Sequence, residues 1–203
     1  MSLSINSIIQ VIQGLAPVII IEKLCVDDTM LGDYFIVLLI SSVSPVLVTA
    51  FSGIMEPCFA DIKNPNRKAK LQSLINYQIL LGGLWTAFVI FDFLLFNTKL
   101  LGYYGGGFIF STFSVCFMMI FSFLSEIIFH TERLCIFNNL NQFLHPITIA
   151  QTVLLIVLCF VLIPYYQYLG ALLAIAISRC LAAVACWVII KINGIEIKVL
   201  GII

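Results

Sequence analysis

The sequence has little charge for its length. Charged residues make up 10% of its 203 positions, against about 25% in an average soluble domain. Basic and acidic residues balance at ten each, so there is no net positive charge to attract nucleic acid. A water-soluble globular fold and a nucleic-acid-binding function are both excluded.

The sequence also lacks the residue patterns that carry chemistry. Its seven cysteines include no C-x-x-C pair, and cysteines within apolar segments usually behave as small hydrophobic residues. No nucleophile with a neighbouring base, no metal-ligand set and no pair of carboxylates of the kind used by glycosidases is evident. We therefore expect no enzymatic activity, no metal and no cofactor.

What the sequence has is a series of long apolar segments, since 62% of its residues are hydrophobic. A segment of about 20 apolar residues can cross a bilayer as a helix. Six such segments are present: Ile5–Ile21, Tyr34–Met55, Leu74–Phe96, Gly107–Phe129, Phe143–Ile163 and Tyr168–Ile190. We predict an all-α, polytopic membrane protein in which residues 1–203 form a single domain with six transmembrane helices.

The basic residues predict the orientation, because lysine and arginine are enriched in cytoplasmic connections. If the N-terminus is cytoplasmic, the inner connections hold seven of the ten basic residues. The outer connections then hold only Lys23 and Lys99. We predict that both termini are cytoplasmic.

Arg179 is the central residue of the sixth span. Its guanidinium stays charged at any relevant pH. Arg179 therefore faces a water-filled cavity or an anionic substrate group, or its side chain extends to the membrane interface, or the span boundaries differ by one turn. A guanidinium is well suited to phosphate oxygens. Gln151 and Gln13 lie near the centres of the fifth and first spans.

Asp92 and Glu126 are the other charged residues within the spans. Both are displaced from the centres of their helices, so neither is an easy partner for Arg179. We interpret them as possible proton carriers. His130 and His145, at the inner ends of the fourth and fifth spans, are predicted to have structural roles at the interface.

Proline and small polar residues recur within two spans. Pro45 predicts a bend in the second span, which is either a packing kink or a hinge beside a cavity. Stripes of small polar residues indicate either close helix packing or a solvated lumen. The two predicted stripes are Ser41, Pro45, Thr49 and Ser52 in the second span, and Ser111, Ser114, Ser122 and Ser125 in the fourth.

Two short motifs resemble those of a known family. Residues 163–178 read IPYYQYLGALLAIAIS and resemble the element P-x-x-G-x-x-G-A-A-x-A-x-x-I-S of polysaccharide-biosynthesis membrane proteins. Residues 56–60, EPCFA, are similar to the P-x-F-A motif that closes the second helix of a repeat in these proteins. They are the O-antigen and repeat-unit flippases of the multidrug/oligosaccharidyl-lipid/polysaccharide exporter superfamily.

The resemblance implies a bundle that moves an undecaprenyl-pyrophosphate-linked oligosaccharide across the bacterial inner membrane by alternating access. It implies that Arg179, Gln151, Gln13 and Gln10 line a polar central cavity. Family members contain two helical halves, and this chain resembles the C-terminal half, which implies a second half-bundle chain or a homodimer as partner. Membrane lipids are the other expected partner.

Two further hypotheses remain open at this stage. The chain could be a truncated or non-transporting partner in envelope polysaccharide assembly. It could also be half of a cation or drug antiporter, which would need a protonatable acid such as Asp92 or Glu126 facing the lumen.

Overall fold

The protein is all-helical in the residues that the structure describes, as predicted. The computed structural model describes residues 2–24, 29–60, 65–103, 112–138 and 140–193. The helices are α1 (Ser2–Leu24), α2 (Thr29–Ser41), α3 (Val46–Ala60), α4 (Pro65–Tyr103), α5 (Thr112–Phe137), α6 (Asn141–Tyr166) and α7 (Tyr168–Ile192).

Four of these helices, α4 to α7, are long and apolar enough to cross a membrane. Helices α2 and α3 pass the same test as a pair, which gives five spans if the pair counts as one. Helix α1 covers the first predicted span, Ile5–Ile21, but is not among the spans found in the described residues. A membrane protein is therefore supported, while the count of six spans and the orientation stay predictions.

The second predicted span is broken. Helix α2 ends at Ser41 and α3 begins at Val46, and the two helices meet at an angle of 56°. Proline at position 45 has no N–H to donate and disfavours a helical conformation in the residue before it. The prediction that Ser41, Thr49 and Ser52 share one face is wrong: Ser41 and Ser52 are buried whereas Thr49 is exposed.

Side chains from α4 and a backbone carbonyl of α5 stabilise the break. The indole of Trp85 donates to the carbonyl of Val43 (3.2 Å), and the Gln78 amide donates to the carbonyl of Val48 (2.8 Å). The Ser44 hydroxyl lies 2.9 Å from the carbonyl oxygen of Met119, to which it donates a hydrogen bond. Backbone carbonyls near the break are thus paired within the protein, as an apolar environment requires. This pattern favours a fixed packing kink over a free hinge.

Two apolar cores lie at opposite ends of the bundle. Helices α5 and α7 run parallel, since the Ser114 hydroxyl lies 3.3 Å from the Tyr168 hydroxyl near their starts, and Cys135 and Cys186 belong to the same apolar core near their ends. The first core surrounds the start of this pair and includes residues from α1, α2, α4 and α6. The second surrounds the end and includes α3 and α4. The section between the two cores is more polar.

Helix α5 is longer than predicted. The fourth predicted span ends at Phe129, where the polar residues His130, Thr131, Glu132 and Arg133 follow. The helix instead continues to Phe137, because two of these residues bind partners on neighbouring helices. Arg133 forms an ion pair with Glu56 of α3 at 2.7 Å, and the His130 ring nitrogen Nε2 lies 2.6 Å from Gln78 Oε1.

The turn between α6 and α7 has an unusual backbone conformation. Gln167 has a φ of 55° and a ψ of −135°, a region that side chains with a Cβ rarely adopt. Its N–H donates to the carbonyl of Ile163 (2.7 Å), and the N–H of Gly170 donates to the carbonyl of Gln167 (2.9 Å). These bonds hold the strained residue in place.

Replacing Gln167 with glycine is expected to stabilise the protein. Strained backbone of this kind costs roughly 1–3 kcal/mol, and the greater chain entropy of glycine offsets about 0.5–1 kcal/mol of the gain. The expected net effect is a free energy of unfolding higher by about 1 kcal/mol, measured by thermal or denaturant unfolding in detergent. Gln167→Ala is the control, since alanine keeps the Cβ. An equal gain in both variants would show that φ is not the cause.

Candidate functional site

A cavity of about 520 Å³, lined by both polar and apolar side chains, lies between α1, α2, α5, α6 and α7. It occupies the section of the bundle between the two apolar cores. Helices α1, α5, α6 and α7 all contribute polar groups to its wall. Those side chains are Gln10, Gln13, Ser122, Ser125, Glu132, Thr148, Gln151, Ser178 and Arg179.

The four residues selected from the sequence as cavity residues come together here. Gln10, Gln13, Gln151 and Arg179 belong to three different helices, and all four line this cavity. Gln10 and Arg179 are exposed to it, whereas Gln13 and Gln151 are half-buried. Their predicted role in holding a substrate stays a prediction, but their common location is a property of the fold.

Gln13 connects two walls of the cavity. Its amide nitrogen donates to the hydroxyl of Thr152 on α6 (2.8 Å). The Thr152 hydroxyl in turn donates to the carbonyl of Thr148 (2.8 Å). The amide group is therefore held in position, which leaves its carbonyl oxygen and its second N–H as groups that can bind a ligand.

The serine stripe of α5 has two functions at different depths. Ser122 and Ser125 line the cavity. Ser114, nearer the start of the helix, is buried against the hydroxyl of Tyr168. Close packing therefore describes Ser114, whereas a solvated lumen beside Ser122 and Ser125 stays a prediction. Ser111 lies outside the described residues.

Glu132 is a cavity residue that the sequence analysis missed. The predicted fourth span ends at Phe129, so Glu132 falls outside it. The continuation of α5 instead puts Glu132 in the cavity wall. The signal that could have found it is spacing. Glu132 follows Ser122 and Ser125 by ten and seven residues, which places all three on one face of a helix.

Arg179 and Glu132 are the charged side chains among the described residues that line the cavity. Arg179 forms no ion pair with any described residue, so its guanidinium remains open to the cavity. The described wall thus has one positive and one negative charge and no net charge.

The structure does not bring the two predicted proton carriers into the cavity. Asp92 lies on α4, and none of the lining residues described comes from that helix. Glu126 lies on α5 but is not among the described residues that line the cavity. Both side chains are half-buried. Proton transfer by either residue stays a prediction.

His130 lies in a packed interior position. Only 4% of its surface is exposed, and its ring lies 5.6 Å from the ring of Phe59, measured between centroids. The prediction of a structural role fits these contacts with α3 and α4. The predicted location at the membrane interface stays a prediction.

The cavity wall offers amides, hydroxyls, one guanidinium and one carboxylate, which can bind an oxyanion and sugar hydroxyls. In the described ranges, no three histidine, cysteine, aspartate or glutamate side chains are grouped so that they could hold a metal ion. The six cysteines with described side chains are free.

In comparisons with known proteins, the chain matches no protein-family model, no curated protein and no solved structure.

Proposed function

We propose that this chain is one half-bundle of a bacterial inner-membrane transporter that moves a lipid-linked oligosaccharide across the bilayer. One observation carries the proposal. Four polar residues from three helices line a single cavity in a bundle whose helices are long and apolar enough to cross a membrane: Gln10, Gln13, Gln151 and Arg179. A charged side chain in a membrane helix usually marks a substrate or ion pathway.

The chemistry of the wall matches a lipid-linked sugar. The Arg179 guanidinium presents a planar set of N–H donors suited to phosphate oxygens. The glutamine amides and the hydroxyls of Ser122 and Ser125 can exchange hydrogen bonds with sugar hydroxyls. A volume of about 520 Å³ lies within the usual range for small-molecule sites, about 300–1,000 Å³.

The geometry of the α6–α7 turn supports the family resemblance. The first glycine of the family motif corresponds to Gln167, the residue with positive φ. The second corresponds to Gly170, where a Cβ would collide with the backbone of Leu162 on α6. The turn thus needs glycine at the two positions where the motif has it, and glutamine at 167 is a departure that costs backbone strain.

Transport would require the chain to act with a second half. We propose a partner half-bundle or a second copy of this chain, with both termini in the cytoplasm as the basic residues predict. Helix α4 is 39 residues long, or roughly 58 Å at 1.5 Å per residue. Its exposed residues Arg67, Lys68 and Lys70 fit a position at the cytoplasmic headgroups.

The test is transport in proteoliposomes. The full chain is reconstituted with an undecaprenyl-pyrophosphate-linked oligosaccharide, and the fraction of sugar accessible to an external glycosidase is followed over time. Exchange between leaflets faster than in protein-free vesicles supports the proposal. Exchange at the protein-free rate, with the chain reconstituted alone or after co-expression with its genetic neighbours, would refute it.

A second candidate is half of a cation or drug antiporter, and Glu132 favours it. The antiporter hypothesis needs an acid facing the lumen, and this carboxylate lines the cavity. Uptake of a cationic dye driven by an imposed pH gradient would distinguish the two. An antiporter accumulates the dye and loses this activity in Glu132→Gln, whereas an oligosaccharide flippase leaves the dye distribution unchanged.

A further inference from the structure

Glu132 and Arg179 occupy neighbouring positions in the cavity wall although they lie on different helices. Cys135 of α5 and Cys186 of α7 belong to the same apolar core, which relates the register of the two helices. Glu132 lies about one turn before Cys135, and Arg179 about two turns before Cys186. The carboxylate therefore lies about one turn deeper toward the predicted cytoplasmic end than the guanidinium, and both side chains line the cavity.

We propose that Glu132 is a through-space counter-ion of Arg179, and that an oxyanion of the cargo binds the open guanidinium against the repulsion of this carboxylate. This inference rests on the proposed function, since it assigns a residue to the same cavity. Glu132 is then a residue that sets affinity rather than one that binds cargo. It neutralises Arg179 when the cavity is empty, and it repels the anion when the cavity is occupied.

The charge arrangement explains why such a residue would be useful. Without Glu132, the described wall would have a net positive charge and would hold an anion tightly. A carboxylate nearby raises the free energy of the occupied state and so promotes release on the other side. The ligand class is a phosphate or pyrophosphate group, because the guanidinium is the one cation among the described wall residues and pairs well with phosphate oxygens.

The experiment measures binding of inorganic pyrophosphate to the full chain by isothermal titration calorimetry in phosphatidylcholine vesicles. Glu132→Gln removes the charge and keeps the size of the side chain. We expect this variant to bind pyrophosphate on the order of tenfold more tightly than wild type. That ratio is the size expected for the repulsion between two unit charges about 10 Å apart in partly polar protein. Glu126→Gln is the matched control, since it removes an acid of α5 outside the described cavity lining, and its affinity should equal that of wild type.

A double substitution separates charge from structure. In the Arg179→Gln background, Glu132→Gln should give no gain, because the anion has lost its cationic partner. A gain of the same size in both backgrounds would overturn the counter-ion role. If Glu132→Gln does not fold, Glu132→Ser provides the second neutral variant and carries the same expectation.

The outcomes distinguish this inference from the proposed function. If Arg179→Gln abolishes pyrophosphate binding but Glu132→Gln binds like wild type, the counter-ion proposal is wrong and the transport proposal stands. If Arg179→Gln binds like wild type, both are wrong. If the change from phosphatidylcholine to phosphatidylglycerol vesicles weakens pyrophosphate binding more for Glu132→Gln than for wild type, the result would support the proposal and identify a lipid headgroup as a competing oxyanion.

Discussion

Replacing Arg179 with leucine is expected to abolish transport while leaving the protein at least as stable as wild type. Loss of two hydrogen bonds to a charged ligand group, at about 1.5–3 kcal/mol each, corresponds to a decrease in transport rate on the order of 100-fold or more. Stability should not fall, because a centrally placed arginine makes membrane insertion less favourable by roughly 2.5–3.5 kcal/mol. Proteoliposome transport and thermal unfolding in detergent measure the two effects.

Two variants control this experiment. Lys191→Leu removes a cation from the same helix at a site outside the described cavity lining, where the ammonium lies 5.0 Å from the centroid of the Trp187 ring. It should transport normally. Arg179→Lys keeps the charge but loses the planar set of donors, so its rate should fall between wild type and Arg179→Leu. Full transport by Arg179→Leu would show that the arginine is incidental to the cargo route.

Substituting alanine for Gly170 is expected to give the largest loss of stability. An added Cβ would meet the Leu162 carbonyl group and the backbone nitrogen of Ile163 at 2.7 Å. Backbone atoms within a helix cannot move aside as a side-chain end can, so α6 and α7 would have to separate. We expect the free energy of unfolding to fall by about 3 kcal/mol, measured by chemical unfolding in detergent.

Gly83 provides the matched control. It is also a helical glycine, but its Cβ would lie 3.7 Å from the nearest atom, Cζ of Phe123, which is an ordinary contact. Gly83→Ala should therefore stabilise the protein by up to about 1 kcal/mol through helix propensity. Similar stabilities for the two alanine variants would contradict the close approach of α6 and α7.

Much of the helical architecture could be predicted from the sequence, because charge is excluded from apolar segments in a bilayer. Counting residues along those segments also places Gln13, Gln151 and Arg179 at a similar depth, and all three line the cavity. Such counting works because helices that cross the same bilayer have their midpoints at the same depth. Residues near those midpoints therefore lie close together if they face inward.

The sequence was less informative where tertiary partners override local pattern. Residues 42–45 read Ser-Val-Ser-Pro and carry no charge within a longer apolar segment. The break therefore depends on Pro45 and on partners such as Trp85 and Thr86 of α4, which lie more than 40 residues away. Glu132 was missed because a charged residue after an apolar segment reads as a helix end. The ion pair between Arg133 and Glu56 helps to keep that turn helical.

The central claim is that the cavity contains water when the protein is in a membrane. Cysteine accessibility tests it directly, in a Cys180→Ser background because Cys180 is exposed. Ser122→Cys places a thiol in the cavity wall, and Val153→Cys places one at a site of α6 that is 57% exposed and outside the described cavity lining. Reaction with a charged, membrane-impermeant methanethiosulfonate reagent is then measured in native membrane vesicles.

We expect Ser122→Cys to react several times faster than Val153→Cys, because thiolate formation and entry of a charged reagent both need water. Excess pyrophosphate should slow the reaction at position 122. If both thiols remain unreacted, the cavity is filled with lipid tails or packed side chains, and the cargo route through Arg179 is contradicted.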